Sequence, residues 1–121
     1  MADLAQSATV AGVVRCRFAS LTPVALKDRE VATHLYRIAQ EAVNNAVKHS
    51  KCTQITIELY RKKDVLHLQV SDNGDGFASS TNDGVGLGVM QHRAGVIGAE
   101  LIVKSKPGKG VAITCNLPVR E

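Results

Sequence analysis

The chain has 121 residues, enough for one domain and too few for two. Its composition, 45% hydrophobic and 21% charged, is that of a globular protein rather than a disordered one. The net charge of +4 is a mild basic excess that falls short of the surface of a dedicated nucleic-acid binder. With two Tyr, two Phe and no Trp, the core must consist mainly of aliphatic side chains.

Signals for a cellular compartment point to the cytoplasm. No apolar run is long enough to span a membrane, and the first ten residues lack the basic and apolar regions of a signal peptide. Cys16, Cys52 and Cys115 are odd in number and far apart, which argues against a zinc site or a disulfide framework and favours a reducing compartment. We therefore expect a cytoplasmic protein in which residues 1–8 form a frayed terminus and residues 9–121 a single domain.

The first half of the chain predicts a strand, a long helix and a hairpin. Residues 9–19 are rich in β-forming side chains and predict a strand. After a turn at Pro23, apolar residues recur at three- and four-residue spacing, which predicts a helix over residues 27–49. Residues 54–60 and 65–71 predict two strands joined by a polar turn.

The second half predicts a glycine-rich loop, a short helix and a second hairpin. Residues 72–88 are dense in Gly, Asn, Asp and Ser, and a helix follows over about residues 89–97. Two further strands, residues 100–105 and 111–117, flank a Pro-Gly-Lys-Gly turn. Helices mixed with hairpin-connected strands predict an α+β domain, with a mostly antiparallel sheet and helices on one face.

The predicted long helix has an apolar side and a polar side. At 100° per residue the apolar side holds Leu35, Ile38, Ala42, Val43 and Ala46. The opposite side holds His34, Arg37, Glu41, Asn44, Asn45 and Lys48. A polar side is usually just solvated, but each of two consecutive Asn residues costs a helix about half a kcal/mol relative to Ala. A carboxylate, an amide and a lysine on one side can also hold hydrated magnesium and a polyphosphate, and the spacing alone leaves both interpretations open.

Two glycine clusters follow, at residues 72–77 (DNGDGF) and 84–88 (GVGLG). Asn-Gly and Asp-Gly pairs commonly form tight turns, which explains one pair more readily than the whole series. An EF-hand calcium loop is disfavoured because the alternating acids and the terminal Glu are missing, and no dinucleotide or P-loop fingerprint is present. Glycines at the start of a helix let backbone N–H groups approach phosphate oxygens, so a glycine-rich mobile lid is favoured.

In combination, these segments resemble the ATP-binding catalytic domain of sensor histidine kinases, within the gyrase, heat-shock-protein-90, histidine kinase and mismatch-repair ATPase superfamily. Residues 34–50 are similar to the N-box of that family, residues 72–77 to its G1 box and residues 84–88 to its G2 box. The string GVGLGVMQHRA, ending at Ala94, is most similar to kinases of the nitrate-sensor type. The resemblance covers residues 31–118. It implies the Bergerat ATP-binding fold, a two-layer α/β sandwich with a mixed, mostly antiparallel sheet.

The resemblance also implies a role for each matched residue, with ATP and Mg²⁺ as the cofactors. Asn45 would coordinate the magnesium ion, and Glu41 would position a metal-bound water or polarise the reacting phosphate. Asp72 would accept a hydrogen bond from the adenine amino group and so select ATP over GTP. The remaining contacts are assigned to the phosphate-approaching Lys48 and His49, to Gly74 and Gly76 beside the base, to the lid residues Gly84, Gly86, Leu87 and Gly88, and to Arg93 on the following helix.

Two departures from the family pattern stand out. Val111 follows Gly110 where the family often has a Thr that supports the adenine-binding aspartate, so Thr114 or an ordered water is expected to replace that Thr. The second departure is that no upstream helical segment carries a phosphoacceptor histidine. His34 lies inside the N-box helix and is interpreted as structural. We therefore expect the chain to be a fragment of a larger sensor.

The function implied by the resemblance is Mg²⁺-dependent ATP binding and phosphoryl donation to a histidine of a dimerisation domain, followed by relay to a response-regulator aspartate. We expect the isolated domain to be monomeric with little turnover. The resemblance leaves open whether the parent kinase is anchored in a membrane. The alternatives are an anti-sigma-factor-type serine kinase with the same nucleotide fold and a non-catalytic ATP-binding module. Lys104, Lys106 and Lys109 lack interleaved aromatic residues, so a solvated hairpin turn is favoured over a nucleic-acid surface.

Overall fold

The described part of the chain forms five strands and two helices. The computed structural model describes residues 15–20, 29–49, 53–74, 87–106 and 110–118. In chain order the elements are β1 (Arg15–Ser20), α1 (Arg29–His49), β2 (Gln54–Lys62), β3 (Val65–Asp72), α2 (Leu87–Val96), β4 (Glu100–Lys106) and β5 (Gly110–Pro118). The predicted frayed terminus, residues 9–14 of the first predicted strand, the Pro23 turn and residues 107–109 lie outside the described residues.

The strands form one sheet in the order β1-β2-β3-β5-β4. β1 and β2 pair in parallel, and the other three neighbouring pairs are antiparallel. A parallel pair needs a crossover connection, and α1 lies in the segment that joins β1 to β2. The predicted α+β class, with a mixed and mostly antiparallel sheet, is confirmed.

The hydrophobic core lies between the helices and one face of the sheet. α1 contacts β2, β3, β5 and α2, while α2 also contacts β4. Leu66, Leu68 and Val70 of β3 are buried and alternate with half-buried polar residues, as the two-residue period of a strand requires. On the other face of the sheet, the Tyr60 ring stacks on His67 with their centroids 4.7 Å apart.

The strands extend one or two residues beyond their predicted ends. The four-residue polar turn predicted at residues 61–64 is wrong, because Lys62 still pairs with Val65 and leaves a two-residue loop. Asp72 is the last residue of β3 and pairs with Ile55, although composition predicts that it begins a loop. Hydrogen bonding to the neighbouring strand extends the ladder into residues whose own propensity is for turns.

The second helix begins earlier than predicted, at Leu87 rather than near residue 89. Leu87 packs against the core, and this contact offsets the low helix propensity of the glycine that follows. The helix ends in a Schellman motif, in which Ala99 N donates to Ala94 O (2.8 Å) and Gly98 N donates to Gly95 O (3.1 Å). Gly98 has the positive φ, 75°, that this motif requires.

Cys115 of β5 is a buried free thiol that faces the core. Burial raises the pKa of this thiol from 9.0 to about 11, because the interior disfavours the charged thiolate. The thiol is therefore neutral and unreactive at physiological pH. Neither described helix combines the length and hydropathy needed to cross a membrane.

Candidate functional site

Asn45 is the one buried polar residue among the described residues, and 5% of it is exposed. The prediction that Asn45 lies opposite the apolar side of α1 is wrong. Seven residues separate Asn45 from Ile38, and seven residues amount to nearly two full turns, so both lie on the same side of the helix. The adjacent Asn44 is exposed. The helix therefore places one amide in the core and its neighbour in solvent.

Glu41 lies one turn before Asn45 on the same side of α1 and is half-buried. The rise between them is about 6 Å along the helix axis. Lys48 and His49 form the C-terminal end of α1, and their side chains lie outside what the structure describes. The last two and a half turns of α1 thus carry four of the predicted site residues.

Asp72 is a polar residue at the end of a core-facing row. Its cross-strand partner Ile55 is fully buried, and directly opposed residues in a ladder point to the same side of the sheet. The Asp72 side chain therefore lies on the side covered by the helices and is half-buried there. Its Oδ1 accepts a hydrogen bond of 2.8 Å from the backbone N–H of Gly74, which forms a local turn after the strand.

Chain connectivity brings the end of α1 to the same edge of the sheet as Asp72. Thr53 is only four residues after His49, a span of at most about 14 Å. Backbone N–H groups of Thr53 and Gln54 donate to Asn73 Oδ1, at 3.0 and 2.9 Å. The amide-bearing end of α1 and the carboxylate at the end of β3 therefore belong to one region of the molecule.

Gly110 lies against the backbone of this region from β5. A Cβ built on Gly110 would lie 2.0 Å from the Asp72 carbonyl oxygen, and its φ is 86°. No residue with a side chain fits there. The composition identifies a turn at this point but gives no sign that the glycine packs on Asp72.

Thr114 is not brought to Asp72. It pairs with Gln69 of β3 and alternates with the buried Ile113 and Cys115, so it lies on the sheet face away from the helices. Asp72 lies on the helix side, three positions along β3 from Gln69. The prediction that Thr114 replaces the usual Thr is therefore wrong, because the register and the alternation of β5 direct its side chain to the other face.

Arg93 contacts the N-terminal half of α1, away from Asn45. Its Nη1 is 3.3 Å from Nδ1 of His34, in the N-terminal half of α1. His34 in turn lies with its Nε2 3.9 Å from Glu30 Oε1. Eleven residues separate His34 from Asn45, about 16 Å along the helix. The structure thus assigns Arg93 to a contact between the two helices and supports the interpretation of His34 as a structural residue.

The predicted glycines are only partly described. Gly74 is buried at the turn after β3, and Leu87 and Gly88 form the start of α2. Gly88 is exposed, and a Cβ there would meet no atom within 4 Å, so packing within the domain does not demand a glycine. Gly76, Gly84 and Gly86 lie outside the described residues.

The groups available at this edge of the sheet are side-chain oxygens of Asn45, Glu41 and Asp72 and the backbone of glycine residues. Within the part of the chain that the structure describes, no group of three His, Cys, Asp or Glu residues could hold a metal ion. Mg²⁺ commonly uses one or two protein oxygens together with phosphates and water, and the Asn45 amide and the Glu41 carboxylate fit that requirement.

Comparisons with known proteins settle the family. Residues 30–121 match the family described as histidine kinase-, DNA gyrase B-, and HSP90-like ATPase. The chain belongs to this ATPase family. The predicted resemblance to the catalytic domain of a two-component sensor kinase is confirmed, while the closer similarity to the nitrate-sensor type stays a prediction.

Relatives in sequence agree with this membership, and solved structures show the same fold. Over 93 residues the chain is 39% identical to the sensor protein VraS of Staphylococcus saprophyticus and 38% identical to that of Staphylococcus haemolyticus. These alignments cover 75% of the chain but only 27% of each VraS protein. The fold matches the ATP binding domain of PrrB from Mycobacterium tuberculosis, with a TM-score of 0.74 at 19% identity over 99% of this chain and 94% of that one. It also matches the histidine kinase domain of the E. coli osmosensor EnvZ, with a TM-score of 0.73 at 17% identity over 98% and 83% of the two chains.

Proposed function

We propose that this domain binds ATP with Mg²⁺ and donates the γ-phosphoryl group to a histidine on a dimerisation domain of its parent kinase. The observation that carries the proposal is the buried Asn45 amide on a helix whose end shares a sheet edge with Asp72. Burying a polar group in a core is costly, so a buried amide in the same region as a half-buried carboxylate is typical of a ligand site. Membership of the ATPase family supports ATP as that ligand.

In the proposed site, Asp72 accepts a hydrogen bond from the adenine amino group. A carboxylate is an acceptor without a donor, so it favours an amino group over the carbonyl found at the same position of guanine. Gly74 and Gly76 leave the backbone bare beside the base. Val111 immediately follows Gly110 and is buried, so an apolar side chain borders this part of the site.

The proposed phosphate end of the site uses the end of α1 and the start of α2. Asn45 supplies an oxygen ligand for Mg²⁺, which when bound neutralises phosphate charge, and Glu41 orients a water or polarises the reacting phosphate. Lys48, His49 and the lid residues Gly84 and Gly86 approach the phosphates, and Leu87 and Gly88 provide backbone N–H groups at the start of α2. Arg93 and Thr114 are left out because of their positions.

Transfer of the phosphoryl group needs positioning and charge neutralisation rather than a covalent intermediate on this domain. We propose that the acceptor histidine and the subsequent response-regulator aspartate belong to the parent protein and its partner. The isolated domain is then expected to be a monomer with little turnover, because it binds the donor without its acceptor.

Calorimetric titration with a non-hydrolysable ATP analogue, with and without Mg²⁺, tests this assignment. Asn45→Ala should weaken binding at least about tenfold in Mg²⁺ and abolish most of the benefit of the metal. Asn44→Ala removes the same amide from the exposed neighbouring position and should bind like the wild type. Asp72→Asn should weaken binding about 10- to 100-fold, because it replaces an ionised acceptor, whereas Asp64→Asn in the exposed β2–β3 loop should have no effect.

Two results would contradict the assignment. One is wild-type protein that does not bind the analogue. The other is equal binding by the Asn44 and Asn45 variants, with both confirmed as folded by their denaturant unfolding curves.

A further inference from the structure

Asn73 makes an unusually complete set of hydrogen bonds to the start of β2. Its Oδ1 accepts from Thr53 N (3.0 Å) and from Gln54 N (2.9 Å), and its Nδ2 donates to Thr53 Oγ1 (3.0 Å). Its backbone N–H donates to Gln54 O at 3.2 Å. The regular ladder between β2 and β3 ends at the pair formed by Ile55 and Asp72. The Asn73 side chain thus takes over the role of a backbone carbonyl and extends the pairing of the two strands beyond Asp72.

The backbone of Asp72 is also fixed from the other neighbouring strand. The Cα of Gly110 packs directly against the Asp72 carbonyl, so closely that a Cβ would lie 2.0 Å from the oxygen and 3.3 Å from the Asn73 Cα. The carboxylate itself is oriented by the N–H of Gly74. Asp72 is therefore held by β2 through Asn73, by β5 through Gly110 and by its own turn.

Base selection by a single carboxylate depends on how firmly that carboxylate is held. Discrimination between an amino and a carbonyl group comes from one hydrogen bond that forms with the right base and one repulsive contact with the wrong base. Both are sensitive to shifts of a few tenths of an ångström in the position of the carboxylate. A loosely held carboxylate can also turn away from the wrong base and so avoid the repulsion. A residue that does not touch the nucleotide can therefore set its selectivity.

We propose that Asn73 is a positioning residue for base selectivity, acting through Asp72 and anchored on Thr53. The proposal rests on the assignment of Asp72 to the adenine amino group. It gives the four hydrogen bonds of Asn73 a purpose beyond turn stability. A residue that merely stabilises the turn would affect folding, or the affinity for all nucleotides equally, but not the ratio between two bases.

The test compares the affinity for ATP with that for inosine triphosphate, which carries a carbonyl oxygen in place of the adenine amino group and is otherwise closely similar. Both dissociation constants are measured by calorimetry on the same protein. Asn73→Ala removes all three side-chain hydrogen bonds. Thr53→Val is the milder variant, since it removes the hydroxyl acceptor and keeps the backbone donors. Asn116→Ala is the matched control, because it removes another strand amide, whose Oδ1 lies 2.6 Å from His67 Nδ1 on the far face of the sheet.

We expect Asn73→Ala to reduce the wild-type preference for ATP by about tenfold, Thr53→Val to reduce it less, and Asn116→Ala to leave it unchanged. In an Asp72→Ala background, adding Asn73→Ala should not change the ratio further, because the residue through which it acts is gone. An unchanged ratio in Asn73→Ala and Thr53→Val, alongside a wild-type preference that Asp72→Ala removes, would overturn the role of Asn73 alone. A wild type without any preference for ATP would instead overturn the assignment of Asp72 on which this role rests.

Discussion

Asn44 and Asn45 show at the scale of single residues how position, rather than residue type, determines a role. Both are poor helix formers, and both stand near the end of the same helix. Asn44 is solvated, whereas Asn45 lies in a core made otherwise of aliphatic side chains, Met90 and Cys115. No buried side-chain nitrogen or oxygen among the described residues lacks a hydrogen-bond partner, so the cost of burying this amide is partly offset within the domain. A buried polar side chain at the edge of a proposed ligand site is the kind of feature that trades stability for function.

Cys115 provides a prediction about alkaline stability at the same scale. Its thiol has a pKa of about 11 in the folded protein and 9.0 when exposed, so the unfolded chain loses a proton at lower pH than the folded one. Stability therefore falls as the pH rises from 9 towards 11, by up to about 2–3 kcal/mol. Below about pH 8 the thiol is neutral in both states and contributes no pH dependence.

The measurement is the free energy of unfolding of wild type and of Cys115→Val, a substitution of similar volume, in urea at intervals between pH 7 and pH 10.5. Other thiols, tyrosines and lysines titrate in both proteins, so only the difference between the two curves is informative. The difference should be constant below pH 8 and should shift in favour of the Val variant above pH 9. Parallel curves across the whole range would contradict the prediction.

At the scale of elements, periodic patterns predict existence and type better than limits. The three- and four-residue spacing of α1 and the alternation of Leu66, Leu68 and Val70 identify their elements correctly, since long amphipathic patterns have few competing interpretations. The limits of β3 and α2 depend on tertiary contacts. Asp72 is drawn into the strand by pairing with Ile55, and Leu87 is drawn into the helix by the core.

The candidate site divides in a similar way. Asn45 and Asp72 are identified from motifs whose residue types carry chemistry, although grouping Asn45 with the polar residues of α1 places it on the wrong side of the helix. The roles of Asn73 and Gly110 cannot be predicted from the sequence, because they depend on contacts with partners 20 and 38 positions away. Thr114 is misplaced for the same reason, since strand register decides where its side chain points, and the contact of Arg93 with His34 depends on the packing of α2 against α1.

The two helical glycines of α2 allow a matched test of the phosphate loop. Gly88 and Gly95 both have room for a Cβ, with no atom within 4 Å. Replacing either with Ala should stabilise the free domain by about 0.5–1 kcal/mol, because Ala loses less conformational entropy in a helix. Gly88→Ala should also weaken ATP-analogue binding several-fold, since the Cβ would stand where we propose that phosphates approach backbone N–H groups. Gly95→Ala, near the other end of the helix, should not affect binding.

Urea unfolding measures the predicted change in stability, and calorimetry on the same samples measures the predicted change in binding. Gly98→Ala serves as the opposite control, because its positive φ should make that variant less stable by about 1 kcal/mol. If Gly88→Ala is stabilised and binds like the wild type, the start of α2 is not part of the phosphate site.

At the scale of the whole molecule, the crossover topology explains why one short domain can form this site. The parallel pairing of β1 and β2 forces α1 to run back across the sheet and end near the beginning of β2. Because β3 is antiparallel to β2, its last residue lies at that same edge. Any sequence with this topology brings the end of the helix to the end of β3, and these two positions carry Asn45 and Asp72.

The amino acid that accepts the phosphoryl group can be identified from the stability of the phosphorylated product in acid and alkali. We expect the domain alone to bind ATP without measurable labelling of itself. Mixed with a helical dimerisation domain of a related sensor kinase and γ-labelled ATP, it should label that partner on histidine. Phosphohistidine is lost in acid and survives in alkali, whereas phosphoserine survives acid, so treating the product with each distinguishes the two kinase types that share this nucleotide fold. Asn45→Ala should abolish the labelling and Asn44→Ala should retain it, which ties the product to the site described above. Acid-stable label on an added protein would instead identify a serine kinase, and the buried amide and base-reading carboxylate would then serve a different acceptor.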